Sequence, residues 1–144
     1  MIKDIIKNLL TYTLSFSTGL LLITYFLQVP HLVTGNKKIV NEYYNKNYLT
    51  NVPLDYLFVL IYLLASYVFI KLLKLKTVAE QVLAVGLTTA VLTFGFCLYF
   101  TSYPETPNFF SKWFHTVGYS SIIYDVILLV VIFLIYKYLQ QNTN

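Results

Sequence analysis

LDYLFVLIYLLASYVFIKLLKLKTVAEQVLAVGLTTAVLTFGFCLYF, positions 54–100, decides the fold. It holds two apolar runs, one free of charge from Asp55 to Lys71 and one free of charge from Glu80 to Glu105. A helix rises about 1.5 Å per residue, so roughly 20 apolar residues cross the ~30 Å hydrocarbon layer of a bilayer. Both runs are long enough, and Lys71, Lys74 and Lys76 crowd the turn between them. The stretch therefore predicts a membrane-embedded helical hairpin with spans at 54–73 and 78–100.

The same signal extends to either side. Residues 9–29 make a first span that Pro30 and His31 interrupt, and residues 118–138 make a fourth, followed by a polar tail. The sequence thus predicts an all-α, membrane-embedded four-helix bundle: a single transmembrane domain over 1–144. It consists of two antiparallel helical hairpins, with short interfacial helices in the longer loops. Asn51 ahead of Pro53 suggests the N-cap of the second span. Lys3 and Lys7 precede the first run as in a signal peptide, but that run exceeds an h-region and no small-residue cleavage site follows, so it is expected to be a retained anchor.

Composition points the same way. The chain is 58% hydrophobic and 11% charged, against about 25% charged residues in a soluble domain. Its net charge of +4 comes from ten lysines without a single arginine, and these stand at span ends rather than in a stripe, so no nucleic-acid partner is expected. The single cysteine, Cys97, excludes an intramolecular disulfide and a cysteine-based metal cluster. Lys3, Lys7, Lys71, Lys74, Lys76 and Lys137 fall on one side of the predicted topology and Lys37, Lys38, Lys46 and Lys112 on the other. This bias puts both termini in the cytoplasm.

Each span carries small or polar residues at helical spacing, the places where helices in lipid approach closely. The predicted packing residues are Thr11, Ser15 and Thr18 in the first span, Ser66 in the second, Gly86, Ala90 and Thr93 in the third, and Ser121 in the fourth. Asp125 stands apart. Counted from Gly118 it lies about 10 Å below the interface, where a lipid-facing carboxylate is costly, so it is expected to face the helices and is the first functional candidate.

Weaker candidates are His31, Asp55, Glu105 and His115, which share the side of the two longer loops with Asp125. Two histidines and several carboxylates suit acid/base work or a divalent ion, yet no fixed spacing ties them together. No metal and no cofactor is therefore assigned. Phe109, Phe110, Trp113 and Phe114 form one face of a short helix capped by Asn108, with Tyr43, Tyr44 and Tyr48 a weaker counterpart. These aromatics are expected to form an interfacial belt that fixes depth rather than a ligand cage.

Thr116-Val-Gly-Tyr-Ser120 resembles the TVGYG filter of potassium channels. It departs at the last glycine and leaves no extended segment before the fourth span, so a filter is not expected. Asn51-Val-Pro-Leu-Asp-Tyr56, Trp113-Phe114 with Val117-Gly118, and Tyr124-Asp125-Val-Ile-Leu128 together resemble four-span membrane proteins of large DNA viruses. That resemblance implies a virion or host membrane and carries no catalytic residues.

Three functions follow as expectations: a structural or interaction role in a membrane assembly, a small transporter or proton/ion pathway using Asp125, and a membrane-embedded enzyme using His31, His115, Asp55 and Asp125. The expected partners are the lipid bilayer and, as a homo-oligomer or otherwise, another membrane protein.

Overall fold

The computed structural model describes residues 2–142. In order, the chain forms α1 (Ile2–Leu20), a π-helical continuation (Leu21–Phe26), α2 (Val29–Thr34), α3 (Lys37–Asn41), a second π-helical turn (Glu42–Lys46), α4 (Tyr48–Leu72), α5 (Val78–Thr101), α6 (Phe109–Val117) and α7 (Ser120–Asn142). Among the described residues there is no strand. Four helical stretches are long and apolar enough to cross a membrane: Ile2–Phe26, Tyr48–Leu72, Val78–Thr101 and Ser120–Asn142.

Their ends differ from the sequence-based bounds where polar residues extend a helix beyond the apolar run. The first starts at Ile2, and the second starts at Tyr48 with Pro53 inside it. Asn51 is not an N-cap: Asn47 holds that place, while Asn51 is buried and donates its Nδ2 to the Tyr43 carbonyl at 3.2 Å. α5 opens with a reciprocal cap, Glu80 N donating to Thr77 Oγ1 at 3.2 Å and Thr77 N to Glu80 Oε2 at 2.8 Å. This cap satisfies amides that a helix start otherwise leaves orphaned.

α7 packs against α1 on one side and α5 on the other, and α4 packs on α5. Thr11, Ser15, Ser66, Thr93 and Ser121 are buried, whereas Gly86 and Ala90 are half-buried. Three of these hydroxyls bond within their own helix, Thr11 to Lys7 O, Ser15 to Thr11 O and Ser66 to Tyr62 O, and Ser121 bonds Gly118 O at the corner before α7. A small side chain that satisfies itself on its own backbone leaves the neighbouring helix free to approach. Thr18 corrects the expectation, because it is exposed. Its neighbour Gly19 makes the close approach, with Ile132 of α7 filling the place of a Cβ.

Leu57, Ile61 and Val68 of α4, and Leu83, Leu87 and Val91 of α5, point outward and are exposed. Apolar ridges of that extent are unfavourable in water and suited to hydrocarbon. The filter-like string is helical at Thr116 and Val117, where Thr116 Oγ1 donates to Lys112 O at 2.8 Å. Gly118, at φ 53°, makes the corner into α7. The run of extended carbonyls that coordinates potassium in a filter is absent.

Candidate functional site

Three pairs of aromatic or polar side chains at helical spacing turn toward a common centre: Phe58 and Tyr62 on α4, Phe96 and Phe100 on α5, Phe110 and Phe114 on α6. Residues four apart share a helix face, so each pair contributes one wall. Tyr43 and Tyr44 from the second π-helical turn, Trp113 from α6, and Tyr124 from α7 complete the lining. The result is a cavity of ≈ 110 Å³ into which both Asp55 and Asp125 open.

The aromatics pack edge to face, stacked or tilted. Phe58 meets Phe96 at 5.8 Å and Phe110 at 5.6 Å, Phe100 stacks on Phe114 at 5.4 Å, and Tyr43 meets Trp113 at 4.9 Å between ring centres. The expected interfacial belt is corrected at four of its seven rings, while Tyr48 is exposed and Phe109 and Phe110 are half-buried. Trp113 and Phe114 are 5% and 7% exposed and Tyr43 and Tyr44 each 4%, so these rings face the protein and roof the chamber. The amphipathic α6 prefers this side because Phe100 of α5 and Phe58 of α4 offer rings to Phe110 and Phe114.

Hydrogen bonds fix the two carboxyl groups. The Tyr43 hydroxyl donates to Asp55 Oδ1, while Asp55 Oδ2 is buried without a partner. Thr93 Oγ1 of α5 donates to Asp125 Oδ2 at 2.7 Å and lies 3.4 Å from the Tyr62 hydroxyl. Asp125 therefore engages the third long helix rather than Thr11, Ser15 or Thr18 of the first. A second chain of hydroxyls runs behind the chamber: Thr24 Oγ1 to the Tyr124 hydroxyl at 2.8 Å, and that hydroxyl to Tyr44 at 2.7 Å. The Tyr25 hydroxyl donates to Tyr44 O at 2.7 Å.

Thr24 and Tyr25 sit in one π-helical segment, and Tyr43 and Tyr44 in the other. Such wide turns occur disproportionately at functional sites because they re-aim side chains off the α-helical register. Burial holds the Tyr43 and Tyr44 hydroxyls well above the usual phenol range, with Asp55 adding to the effect at Tyr43 and Tyr124 at Tyr44. Both therefore serve as neutral hydrogen-bond groups.

The other candidates lie elsewhere. His31 Nε2 faces Asn41 Oδ1 at 3.2 Å, Glu105 is exposed, and His115 is held by Ser111 O at 2.7 Å and Tyr103 O at 3.0 Å. Only Asp55 joins Asp125 at the cavity. Among the described residues no group of three or more His, Cys, Asp or Glu side chains is placed to hold a metal ion. Sequence reasoning passed over Thr24, Phe58, Phe96, Phe100 and Tyr124. The repeated aromatic spacing of four on three separate helices was the available signal.

A salt bridge latches the roof. Lys112 Nζ of α6 lies 2.6 Å from Glu42 Oε1 at the start of the second π-helical turn. The hydrogen bond from Lys112 holds the Glu42 carboxyl below its ordinary range. A lowered folded-state value means the stabilisation is present above the unfolded carboxylate range and is lost as pH falls. Lys112→Gln should therefore melt slightly below wild type at neutral pH, and the gap should close on acidification below the carboxylate range. Thermal melts of both proteins across that range check this.

No family model matches the chain, and no curated protein or solved structure is significantly similar to it.

Proposed function

We propose that this chain is a multi-pass membrane protein that binds a small cation in the chamber between Asp55 and Asp125, as a carrier or receptor within the bilayer. The four long helices form a bundle in this reading, with both termini cytoplasmic and the chamber toward the opposite face. One observation carries the proposal: two carboxyl groups from different helices open into a single aromatic-walled cavity, and one oxygen of Asp55 is buried without a partner. Ionisable groups at membrane depth are expensive, and a cation between them offsets that cost.

The walls favour an organic ammonium over a hard metal ion. Calcium and magnesium seek six or more oxygen ligands, whereas this cavity offers two carboxyl groups and phenol rings amid phenylalanines. Ring faces attract an ammonium through their quadrupole. Inward-turned Tyr43, Phe58, Phe110 and Trp113 therefore suit a methylated ammonium.

Trp113 is the sole tryptophan and lines the cavity, so its fluorescence reports on occupancy. Tetramethylammonium added to the protein in lipid nanodiscs should change that fluorescence saturably, and sodium should not. Asp55→Asn and Asp125→Asn should each weaken binding about tenfold or more while preserving the fold, since a hydrogen bond or ion contact to a charged partner is worth roughly 1.5–3 kcal/mol. Absence of a saturable response, or an unchanged response in the double variant, would overturn the proposal. The chamber would then be internal packing, and the chain a scaffold in a membrane assembly.

A further inference from the structure

A second concavity lies between α1 and α4, at the opposite end from the α6 roof. The two helices are bridged where the Tyr12 hydroxyl donates to Tyr56 O and Thr13 Oγ1 meets the Tyr56 hydroxyl at 2.9 Å. From that bridge toward Lys71 a groove of ≈ 860 Å³ opens. Ile5 and Leu9 of α1 form one wall, Leu60, Leu63 and Leu64 of α4 the other, and Phe133 of α7 the floor.

The mouth is basic. Lys71, Lys74 and Lys76 from the end of α4 and the following turn meet Lys137 of α7 there. No aspartate or glutamate lines the groove. Lys71 Nζ sits 5.3 Å over the Tyr67 ring, which keeps it at the mouth rather than extended away. Lys74 is in a left-handed conformation, at φ 52°, which sharpens the turn that carries two of the four lysines.

Length and charge together identify the occupant. From Leu60 to Lys71 the α4 wall measures about 16 Å at 1.5 Å per residue, close to half of the ~30 Å hydrocarbon thickness. The groove therefore runs through one leaflet, apolar along its length and cationic where that leaflet's headgroups lie. We infer that it holds one anionic phospholipid, its phosphate on Lys71, Lys74, Lys76 and Lys137 and an acyl chain along Leu60, Leu64 and Phe133. Interfacial anchoring explains lysines at a span end, but it does not explain an apolar groove converging on them. Basic pockets between membrane helices are suited to anionic headgroups.

The test uses the full chain in phosphatidylcholine nanodiscs, titrated with phosphatidylglycerol and released into native mass spectrometry. One phosphatidylglycerol should be retained in preference to phosphatidylcholine, and inorganic phosphate should not displace it. Replacing Lys71, Lys74, Lys76 and Lys137 with glutamine should weaken retention more than a hundredfold, at about fivefold per lysine near a membrane surface. Lys37→Gln with Lys38→Gln, in α3, should have no effect. Leu64→Trp, which fills the groove and leaves every lysine, should also abolish retention, and it guards against misfolding of the fourfold variant. Equal retention of phosphatidylcholine, displacement by free phosphate, or retention by Leu64→Trp at wild-type strength would overturn the inference.

Discussion

Replacing Trp113 with alanine should destabilise the protein by roughly 3–5 kcal/mol, the cost of deleting a large buried aromatic. Trp113 is 5% exposed and rests on Tyr43 at 4.9 Å and Tyr44 at 6.5 Å between ring centres. α6 lies outside the four apolar spans, so its aromatic face gains from leaving water as it would in a soluble core. Aromatic pairing adds about 0.5–1.5 kcal/mol per pair beyond burial. The indole also lines the chamber beside both aspartates, so its removal enlarges the space around them. Thermal unfolding in detergent, followed by circular dichroism, measures the loss. Leu32→Ala, at a position 77% exposed, is the control and should change stability little. A loss below about 1 kcal/mol at Trp113 would mean that α6 merely rests on the surface, since exposed substitutions usually stay within ±0.5 kcal/mol.

Gly19→Leu should be nearly as damaging, through overpacking rather than a void. A Cβ at Gly19 would stand 2.5 Å from Ile132 Cγ1 and 3.5 Å from Ile132 Cα. Ile132 is fully buried, so its side chain has no open space to enter and α1 must retreat from α7. Overpacking costs typically 1–3 kcal/mol, and here it also loosens the hold of the first helix on Thr24, which bonds Tyr124 behind the chamber. Gly86→Ala provides the contrast, because its added Cβ would meet Val126 and Val130 at ordinary distances of 3.7 and 3.9 Å. That variant should be neutral or slightly stabilised, alanine being the better helix former. Ile132→Ala should partly rescue the Gly19→Ala variant in a double-mutant cycle, since the two share one contact. Equal sensitivity at Gly19 and Gly86 would refute the assignment of the tight approach to Gly19.

Physical signals of very different strength separate what was legible in this chain from what was not. Four long apolar helices could be read directly, because hydrocarbon leaves backbone amides no partner outside the helix, and so length and apolarity alone specify the element. The cap at Asn108 was legible too, since it depends on residues adjacent in the chain. The seam at Thr18 was misplaced by one position. A stripe of small residues marks a face about 100° wide, within which Thr18 and Gly19 are neighbours, and only the position of Ile132 selects the glycine.

The chamber depended on tertiary structure in a stronger sense. Asp55 and Asp125 are seventy positions apart, on helices that carry no shared motif, and their meeting at one cavity depends on how α4, α5 and α7 pack. The aromatic face of α6 satisfies a headgroup layer and a protein roof equally well by composition. Its direction is decided by Phe58 and Phe100, whose rings meet Phe110 and Phe114. The sequence by itself determined an all-helical chain with four apolar stretches of membrane-spanning length, because that follows from local solvation energy. Which polar groups share a cavity, and which lysines share a groove, only tertiary structure decided, because those depend on side-chain contacts between helices that no local periodicity encodes.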